Sequence, residues 1–82
     1  MFNDCEYIYI EINLFATLKK FSPQNAGRFS IPRGTTIRDL VKILGIPAET
    51  ARLVFINGVK AAPDSELYGE ERVAVFPPIG GG

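Results

Sequence analysis

The last seven residues form the part of the chain whose types and spacing could serve chemistry: Phe76-Pro77-Pro78-Ile79-Gly80-Gly81-Gly82. Neither proline has an N–H to donate to a sheet, so a strand ending at Phe76 must leave the sheet in a stiff, extended form. The glycines have no side chains, so this strip could enter a narrow channel in another protein. Six extended residues span about 20 Å, which holds the carboxylate of Gly82 clear of the domain. A carboxylate resists nucleophiles until it is activated, for example as a mixed anhydride with AMP.

This pattern predicts a chemical handle that is presented to the active site of another protein. We expect Gly82 to be the reactive position and residues 76–81 to be the strip that a partner binds. The alternative interpretation is a frayed terminus without function, because disorder concentrates at chain ends.

The rest of the composition offers little catalytic equipment. The 82 residues include no His and a single Cys, Cys5. The lack of His excludes a Ser-His-Asp triad, a Cys-His pair and any His-based metal site. A lone Cys excludes an internal disulfide and a CxxC motif. We therefore expect no metal site, no bound cofactor and no enzymatic activity of the chain's own.

Charge and hydropathy narrow the possible partners. Nine Lys and Arg balance nine Asp and Glu, whereas nucleic-acid binding and polybasic membrane anchoring both need a basic excess. Residues 19–42 are locally basic, which we interpret as a solvated surface. No apolar run approaches the ~20 residues of a membrane span, and residues 1–6 do not resemble a signal peptide. These features predict a cytoplasmic protein that binds neither nucleic acid nor membrane.

Two elements have clear periodicity. Residues 7–15 alternate as a half-buried strand, which predicts one apolar face and one mixed face: Ile8, Ile10, Ile12 and Leu14 on the first, and Tyr7, Tyr9, Glu11 and Asn13 on the second. Residues 36–44 carry an apolar stripe at helical spacing, which predicts a helix with Thr36 as its N-cap and Gly45 as its C-cap. Within that stripe, we expect Leu40 to be among the most buried residues.

Shorter strands are predicted at residues 28–31, 53–56, 59–61 and 72–76, with Asn57-Gly58 as a hairpin turn and a short helical turn at 16–21. The order is then strand, strand, helix, strand, short strand, strand. It predicts a single α+β roll, a mixed sheet with one main helix packed on one face. The first and last strands should be central and parallel. We expect the domain to span 1–76 and a flexible tail to span 77–82. Phe76 would then lie on the face opposite the helix. It could belong to a sheet face that is merely half covered, but the adjacent tail favours an aromatic anchor.

The tail resembles the C-terminus of the small subunit of molybdopterin synthase, one of the ubiquitin-like β-grasp sulfur carriers. The family pattern is an aromatic residue, two prolines, two variable residues and Gly-Gly. Ile79 and Gly80 take the variable places here, and Gly81-Gly82 the functional pair. The resemblance extends over most of the chain, at residues 14–21, 34–40, 56–58 and 69–75. Gly69-Glu70-Glu71 departs from the usual Gly-Asp-Glu, at a turn. The resemblance implies a ubiquitin-like β-grasp fold.

The resemblance also implies a mechanism and partners. An E1-like adenylating enzyme would use ATP to adenylate the Gly82 carboxylate, and sulfur from a persulfide would replace AMP to leave a thiocarboxylate. The tail would then enter the large subunit of molybdopterin synthase and give its sulfur to a pterin precursor of the molybdenum or tungsten cofactor. Catalytic side chains would belong to these partners.

Two other functions remain open from the sequence. A related carrier could serve thiamine synthesis, tRNA thiolation or cysteine synthesis, although the 16–21 segment and the Phe-Pro-Pro tail favour the pterin pathway. A ubiquitin-like modifier, joined through Gly82 to a lysine of a target, would be activated by the same chemistry.

Overall fold

A computed structural model describes residues 6–51 and 53–78, which contain five strands and one α-helix. The elements are β1 (Tyr7–Leu14), β2 (Phe29–Pro32), α1 (Ile37–Leu44), β3 (Leu53–Ile56), β4 (Val59–Lys60) and β5 (Arg72–Phe76). Short 3-10 helices cover Ala16–Phe21, Ala26–Arg28 and Ala48–Thr50. The predicted order of strands and helix is confirmed.

The strands form one mixed sheet in the order β2-β1-β5-β3-β4. β1 and β5 are parallel neighbours at its centre, as predicted, and the other pairs are antiparallel. Val75 of β5 lies between Leu14 of β1 and Val54 of β3. All three side chains are buried, so this register aligns the apolar sides of the central strands.

The core lies between α1 and one face of the sheet, here called the inner face. Alternation in β1 and β5 buries every second side chain, and residues from α1 and the loops complete the layer. The buried apolar residues are Ile8, Ile10, Ile12, Leu14, Leu18, Ile31, Ile37, Leu40, Val41, Ile46, Val54, Leu67, Val73 and Val75. Leu40 is 1% exposed, which confirms its predicted place in the core.

The two caps predicted for α1 are present, one at each end of the helix. The Thr36 hydroxyl accepts a hydrogen bond from the Asp39 N–H at 3.2 Å, which satisfies a donor left free by the first turn. Gly45 closes the helix in the left-handed region with φ 80°, a conformation that glycine adopts without a Cβ clash. The chain therefore turns towards β3 at a fixed point.

Two turns fix the start of β5 against its neighbours. Asn57 and Gly58 form the hairpin turn between β3 and β4 with φ values of 53° and 84°. The Asn57 side-chain oxygen accepts the Arg72 N–H at 2.9 Å. On the other side, the Glu71 carboxylate accepts the N–H groups of Tyr68 and Gly69 at 2.8 and 2.7 Å. The start of β5 is thus held by both flanking turns.

Some predicted boundaries differ from the structure by a residue. β2 covers Phe29–Pro32 instead of residues 28–31, because Arg28 ends a 3-10 helix. Pro32 can end β2 because β2 is an edge strand, where a missing N–H does not break a ladder. β4 ends at Lys60 instead of residue 61. Among the described residues, no helix is long and apolar enough to cross a membrane.

Candidate functional site

The candidate site is the edge of the sheet where β5 ends and the C-terminal segment leaves it. Because β1 and β5 are parallel, Leu14 and Val75 reach this edge side by side. β3 is antiparallel to β5 and begins here, with Leu53 opposite Phe76. The Phe15 N–H donates to the Val75 carbonyl at 3.3 Å, so the chain is held to the neighbouring strand until just before Phe76.

Three phenylalanines form an aromatic cluster at this edge, on the outer face of the sheet opposite α1. The Phe76 ring stacks on Phe15, with centroids 4.4 Å apart and planes 1° apart. Phe55 meets Phe76 edge-on at 5.7 Å and 87°. Stacked and edge-to-face pairs are both favourable arrangements for aromatic quadrupoles. The Phe76 ring is therefore held from two sides at the base of the segment.

The aromatic cluster is only partly covered by protein. Phe15 is 38% exposed, and Phe55 and Phe76 are half-buried. Phenylalanine is enriched at the centres of protein interfaces, and rings already fixed by packing lose little conformational freedom when a partner binds. The cluster has the properties of a preformed contact surface beside the exit.

The first two residues of the predicted tail follow directly from this cluster. Pro77 is half-buried and Pro78 is exposed, so the chain emerges into solvent within two residues of the last strand. Ile79, Gly80, Gly81 and Gly82 lie outside the described residues, as does Cys5. Their predicted roles, and the division into a domain at 1–76 and a tail at 77–82, stay predictions.

The sequence placed Phe76 on the correct face but did not identify its partners. Tyr7 and Tyr9 share the outer face, and Tyr9 lies under the Arg28 guanidinium, 4.0 Å from its ring centroid. Along β1, Tyr9 is six residues from Phe15, or about 20 Å. The period of two in β1 assigns Phe15 to the outer face. Its stacking on Phe76, like the contact with Phe55, depends on the register of three strands.

The junction between β1 and the following 3-10 helix lies beside the aromatic cluster and carries backbone strain. Ala16 has φ 55°, a left-handed conformation that disfavours residues with a Cβ. The Leu18 N–H donates to the Phe15 carbonyl at 3.0 Å, which closes the turn. Leu18 is buried, and burial of this side chain anchors the strained turn next to Phe15.

Among the residues that the structure describes, the group with a clearly shifted pKa lies away from the exit. The pKa of Tyr68 is raised, chiefly because its hydroxyl donates to the Glu66 carboxylate at 2.7 Å. Tyr68 precedes β5 and so lies near the opposite end of that strand. Within residues 6–51 and 53–78, no group of three or more Cys, Asp or Glu is arranged to hold a metal ion. The described residues at the exit form an aromatic surface that can bind and position another molecule.

Comparison with known proteins gives a family and a fold. A family model described as Mut7-C ubiquitin matches residues 7–80. No curated protein matches the chain. Among solved structures, the solution structure of the Haloferax volcanii HVO 2177 protein is similar with a TM-score of 0.73 and 22% identity, over 93% of this chain and 88% of that one.

Two further solved structures are similar over 88% of this chain and 99% of their own. Small archaeal modifier protein 1 from H. volcanii has a TM-score of 0.64 and 23% identity. A Pyrococcus furiosus protein assigned as molybdopterin converting factor, subunit 1, has a TM-score of 0.61 and 20% identity. At these identities the likeness establishes the fold, which is the ubiquitin-like β-grasp fold that the sequence predicted.

Proposed function

We propose that this chain, which belongs to the Mut7-C ubiquitin family, is a sulfur carrier whose Gly82 carboxylate is converted to a thiocarboxylate by a partner enzyme. One observation carries the proposal. A central strand ends in Phe76, whose ring is clamped by two other phenylalanines, and Pro77-Pro78 follows at once. A fixed aromatic base with a stiff exit suits a segment that must reach into another active site.

The chemistry has two steps, both on the Gly82 carboxylate. A carboxylate oxygen attacks the α-phosphorus of ATP and displaces pyrophosphate, which gives an acyl adenylate. A sulfur nucleophile then attacks the acyl carbon, and AMP leaves with the former carboxylate oxygen. When hydrosulfide is that nucleophile, the thiocarboxylate forms without any change in oxidation state. The chain supplies the acyl group, and an E1-like adenylating enzyme supplies the catalytic side chains and binds ATP.

Transfer of the sulfur to a pterin precursor is the use we favour. In this proposal, the tail enters the large subunit of molybdopterin synthase while the aromatic cluster contacts the rim of that subunit's channel. Within the C-terminal segment, the proposed partner-binding residues are Phe76, Pro77, Pro78, Ile79, Gly80 and Gly81. Support comes from the similarity in fold to the P. furiosus molybdopterin converting factor subunit and from the Phe-Pro-Pro exit.

A protein modifier is the second candidate, and the similarity in fold to small archaeal modifier protein 1 favours it. In this case a target lysine attacks the activated carbonyl of Gly82, and AMP or sulfide leaves. The two candidates share the exit and the activation step. They differ in the nucleophile, which lies outside this chain.

The activation step is tested by incubating the full chain with the E1-like adenylating enzyme of the same genome, ATP, Mg²⁺ and sulfide. Intact-mass measurement should show the increment for one oxygen replaced by sulfur, and omission of ATP should abolish it. If an enzyme preparation that is active on another carrier protein gave none of this product, the proposal would be contradicted.

The thiocarboxylated chain can then be used to distinguish the two candidate functions. If sulfur goes to a pterin, adding the large synthase subunit and the pterin precursor should return the chain to its original mass. A protein modifier should instead appear in isopeptide-linked peptides identified by tandem mass spectrometry.

The role of the aromatic cluster is tested with a matched pair on the outer face. Phe76→Ala should slow either the formation of the thiocarboxylate or the transfer of its sulfur by at least about ten-fold. The reason is that a small displacement of a reacting group lowers the reaction rate strongly. Tyr7→Ala removes an exposed ring at the far end of the same face and should leave both rates within about two-fold. Equal rates for the two variants would remove the cluster from the site.

A further inference from the structure

A second surface lies on the helix side of the sheet, between α1 and the arm formed by β3, β4 and the loop that follows. It is a groove of about 290 Å³. Its lining is mostly apolar, with two cations, and consists of Ile37, Arg38, Val41, Lys42, Ile46, Ala48, Ala51, Val54, Ala61 and Pro63. Nothing in the proposed sulfur chemistry uses this groove.

The groove has a buried aliphatic floor and an exposed rim. Ile37, Val41, Ile46 and Val54 are buried, while Ala51 and Ala61 on its sides are half-buried. The alanines leave the space that larger side chains would fill. The groove therefore presents apolar surface that water covers when no partner is bound, and its occupation would release that water.

Backbone hydrogen bonds hold the walls in place. The Arg38 N–H donates to the Pro63 carbonyl at 2.8 Å, which ties the start of α1 to the loop after β4. The Ala61 N–H donates to the Val54 carbonyl at 2.8 Å, which fixes the opposite wall. A groove with fixed walls is preformed, so binding to it costs little reorganisation.

Both charged residues of the lining are cationic and both belong to α1. Arg38 and Lys42 are exposed, and within the described ranges neither pairs with a carboxylate; the ion pair found there joins Arg33 to Glu6 at 3.2 Å. Asp and Glu are absent from the described lining. Two like charges one helical turn apart repel each other, so an anionic partner would relieve repulsion as well as gain attraction.

The spacing of these cations matches an extended peptide. Residues four apart on a helix are about 6 Å apart along its axis. Alternate side chains of an extended strand are about 6.7 Å apart and point the same way. Carboxylates at positions i and i+2 would face Arg38 and Lys42. The intervening apolar side chain would face Val54 in the floor and Ala61 in the side of the groove.

We propose that this groove binds an extended segment of a partner protein in which acidic and aliphatic residues alternate. Val54 in its floor lies directly opposite Val75 in the sheet, one residue before Phe76. The groove thus flanks the exit on the face of the sheet opposite the aromatic cluster. A partner could hold this groove while the outer face and the tail remain free.

The probe is the peptide acetyl-Val-Asp-Ile-Asp-Val-amide, titrated into the ¹⁵N-labelled full chain at low salt. Saturable amide shifts should map to Ile46, Ala51, Val54 and Ala61. The peptide with both Asp replaced by Lys should bind at least about ten-fold more weakly, because like charges would face each other. Salt near 1 M should weaken binding of the acidic peptide, because the Debye length is then about 3 Å and the charges are screened.

Variants of the chain separate charge from shape. Arg38 and Lys42 are exposed, so the double variant R38E/K42E should keep the NMR spectrum of a folded protein. It should bind the Lys peptide more tightly than the Asp peptide, the reverse of the parent chain. Ala61→Leu should fill the groove and abolish binding. Ala62→Leu, at the exposed neighbour that does not line the groove, should leave binding unchanged.

Several results would overturn the proposal. They are the absence of saturable shifts, equal affinity for the Asp and Lys peptides, or shifts that map to Phe15 and Phe55 on the outer face. Sedimentation that shows dimers weakened by R38E/K42E would assign the groove to a second copy of this chain instead. Failure of Ala61→Leu to fold would leave the charge-reversal pair as the deciding test.

Discussion

The inner and outer faces of the sheet both arise from the alternation of side chains along the strands, but they differ in composition and exposure. On the inner face, aliphatic side chains of β1 and β5 are closed off by α1, and Leu40 is 1% exposed. On the outer face, the aromatic cluster of Phe15, Phe55 and Phe76 remains partly open at the exit. Stability is concentrated on the first face. The second keeps contact surface available beside the segment that a partner would bind.

The largest expected effect is on the inner face. Leu40→Ala should lower the free energy of unfolding by about 2–5 kcal/mol, because it removes buried methyl groups and leaves a cavity. Ile43→Ala is the matched control, since Ile43 lies on the same helix but is 52% exposed. It should change stability by less than about 1 kcal/mol. A denaturant titration that gave the two variants equal losses would contradict the assignment of the buried helix face.

A smaller effect is expected within the aromatic cluster. Phe15→Leu and Phe76→Leu keep apolar bulk but remove the stack, so a double-mutant cycle should give a coupling of about 0.5–1.5 kcal/mol. The control cycle pairs Tyr7→Leu with Phe76→Leu and should give no coupling. Zero coupling between Phe15 and Phe76 in urea unfolding would mean that the two rings do not support each other.

The smallest expected effect concerns the strained junction beside the cluster. Ala16→Gly removes the Cβ penalty of a left-handed residue, about 1–2 kcal/mol, but adds entropy to the unfolded chain. We expect a net gain of up to about 1 kcal/mol. Ala48→Gly, at an exposed 3-10 position without positive φ, should instead lose about 0.5–1 kcal/mol. Thermal unfolding that destabilised both variants equally would argue against strain at Ala16.

Local sequence patterns predicted the parts of the fold that rest on local physics. The period of two in β1, the apolar stripe of α1 and its caps at Thr36 and Gly45 each depend on residues close in sequence. Asn57-Gly58 predicted its hairpin turn for the same reason. The central, parallel placement of β1 and β5 was predicted from their high apolar content, although each strand is fully buried on one side alone.

Features that depend on the packing of several elements could not be predicted from the sequence. The stack of Phe15 on Phe76 requires the β1–β5 register, and the contact with Phe55 requires that of β3. The groove requires α1 to lie at a set distance from Ala61, so Arg38 and Lys42 were interpreted only as solvated surface. The start of β2 was misplaced by one residue because Arg28 has no periodic pattern that separates a 3-10 turn from a strand.

In the proposed function, Gly82 is the reactive position, and the number of residues between it and the aromatic cluster sets how far the carboxylate can reach. Deleting Gly82 shortens the segment by about 3.5 Å, and a misplacement of about 1 Å can already cost ~100-fold in rate. An added residue after Gly82 should be equally damaging. Both variants should unfold at the same denaturant concentration as the parent chain, because neither alters the sheet or α1.

The deciding measurement is the intact mass of the parent chain and of these two variants after incubation with the E1-like adenylating enzyme, ATP and sulfide. We expect the parent chain to gain the increment for one oxygen replaced by sulfur and both variants to keep their starting mass. If the deletion variant were converted as fast as the parent chain, Gly82 would not be the reactive position and the proposed function would be contradicted.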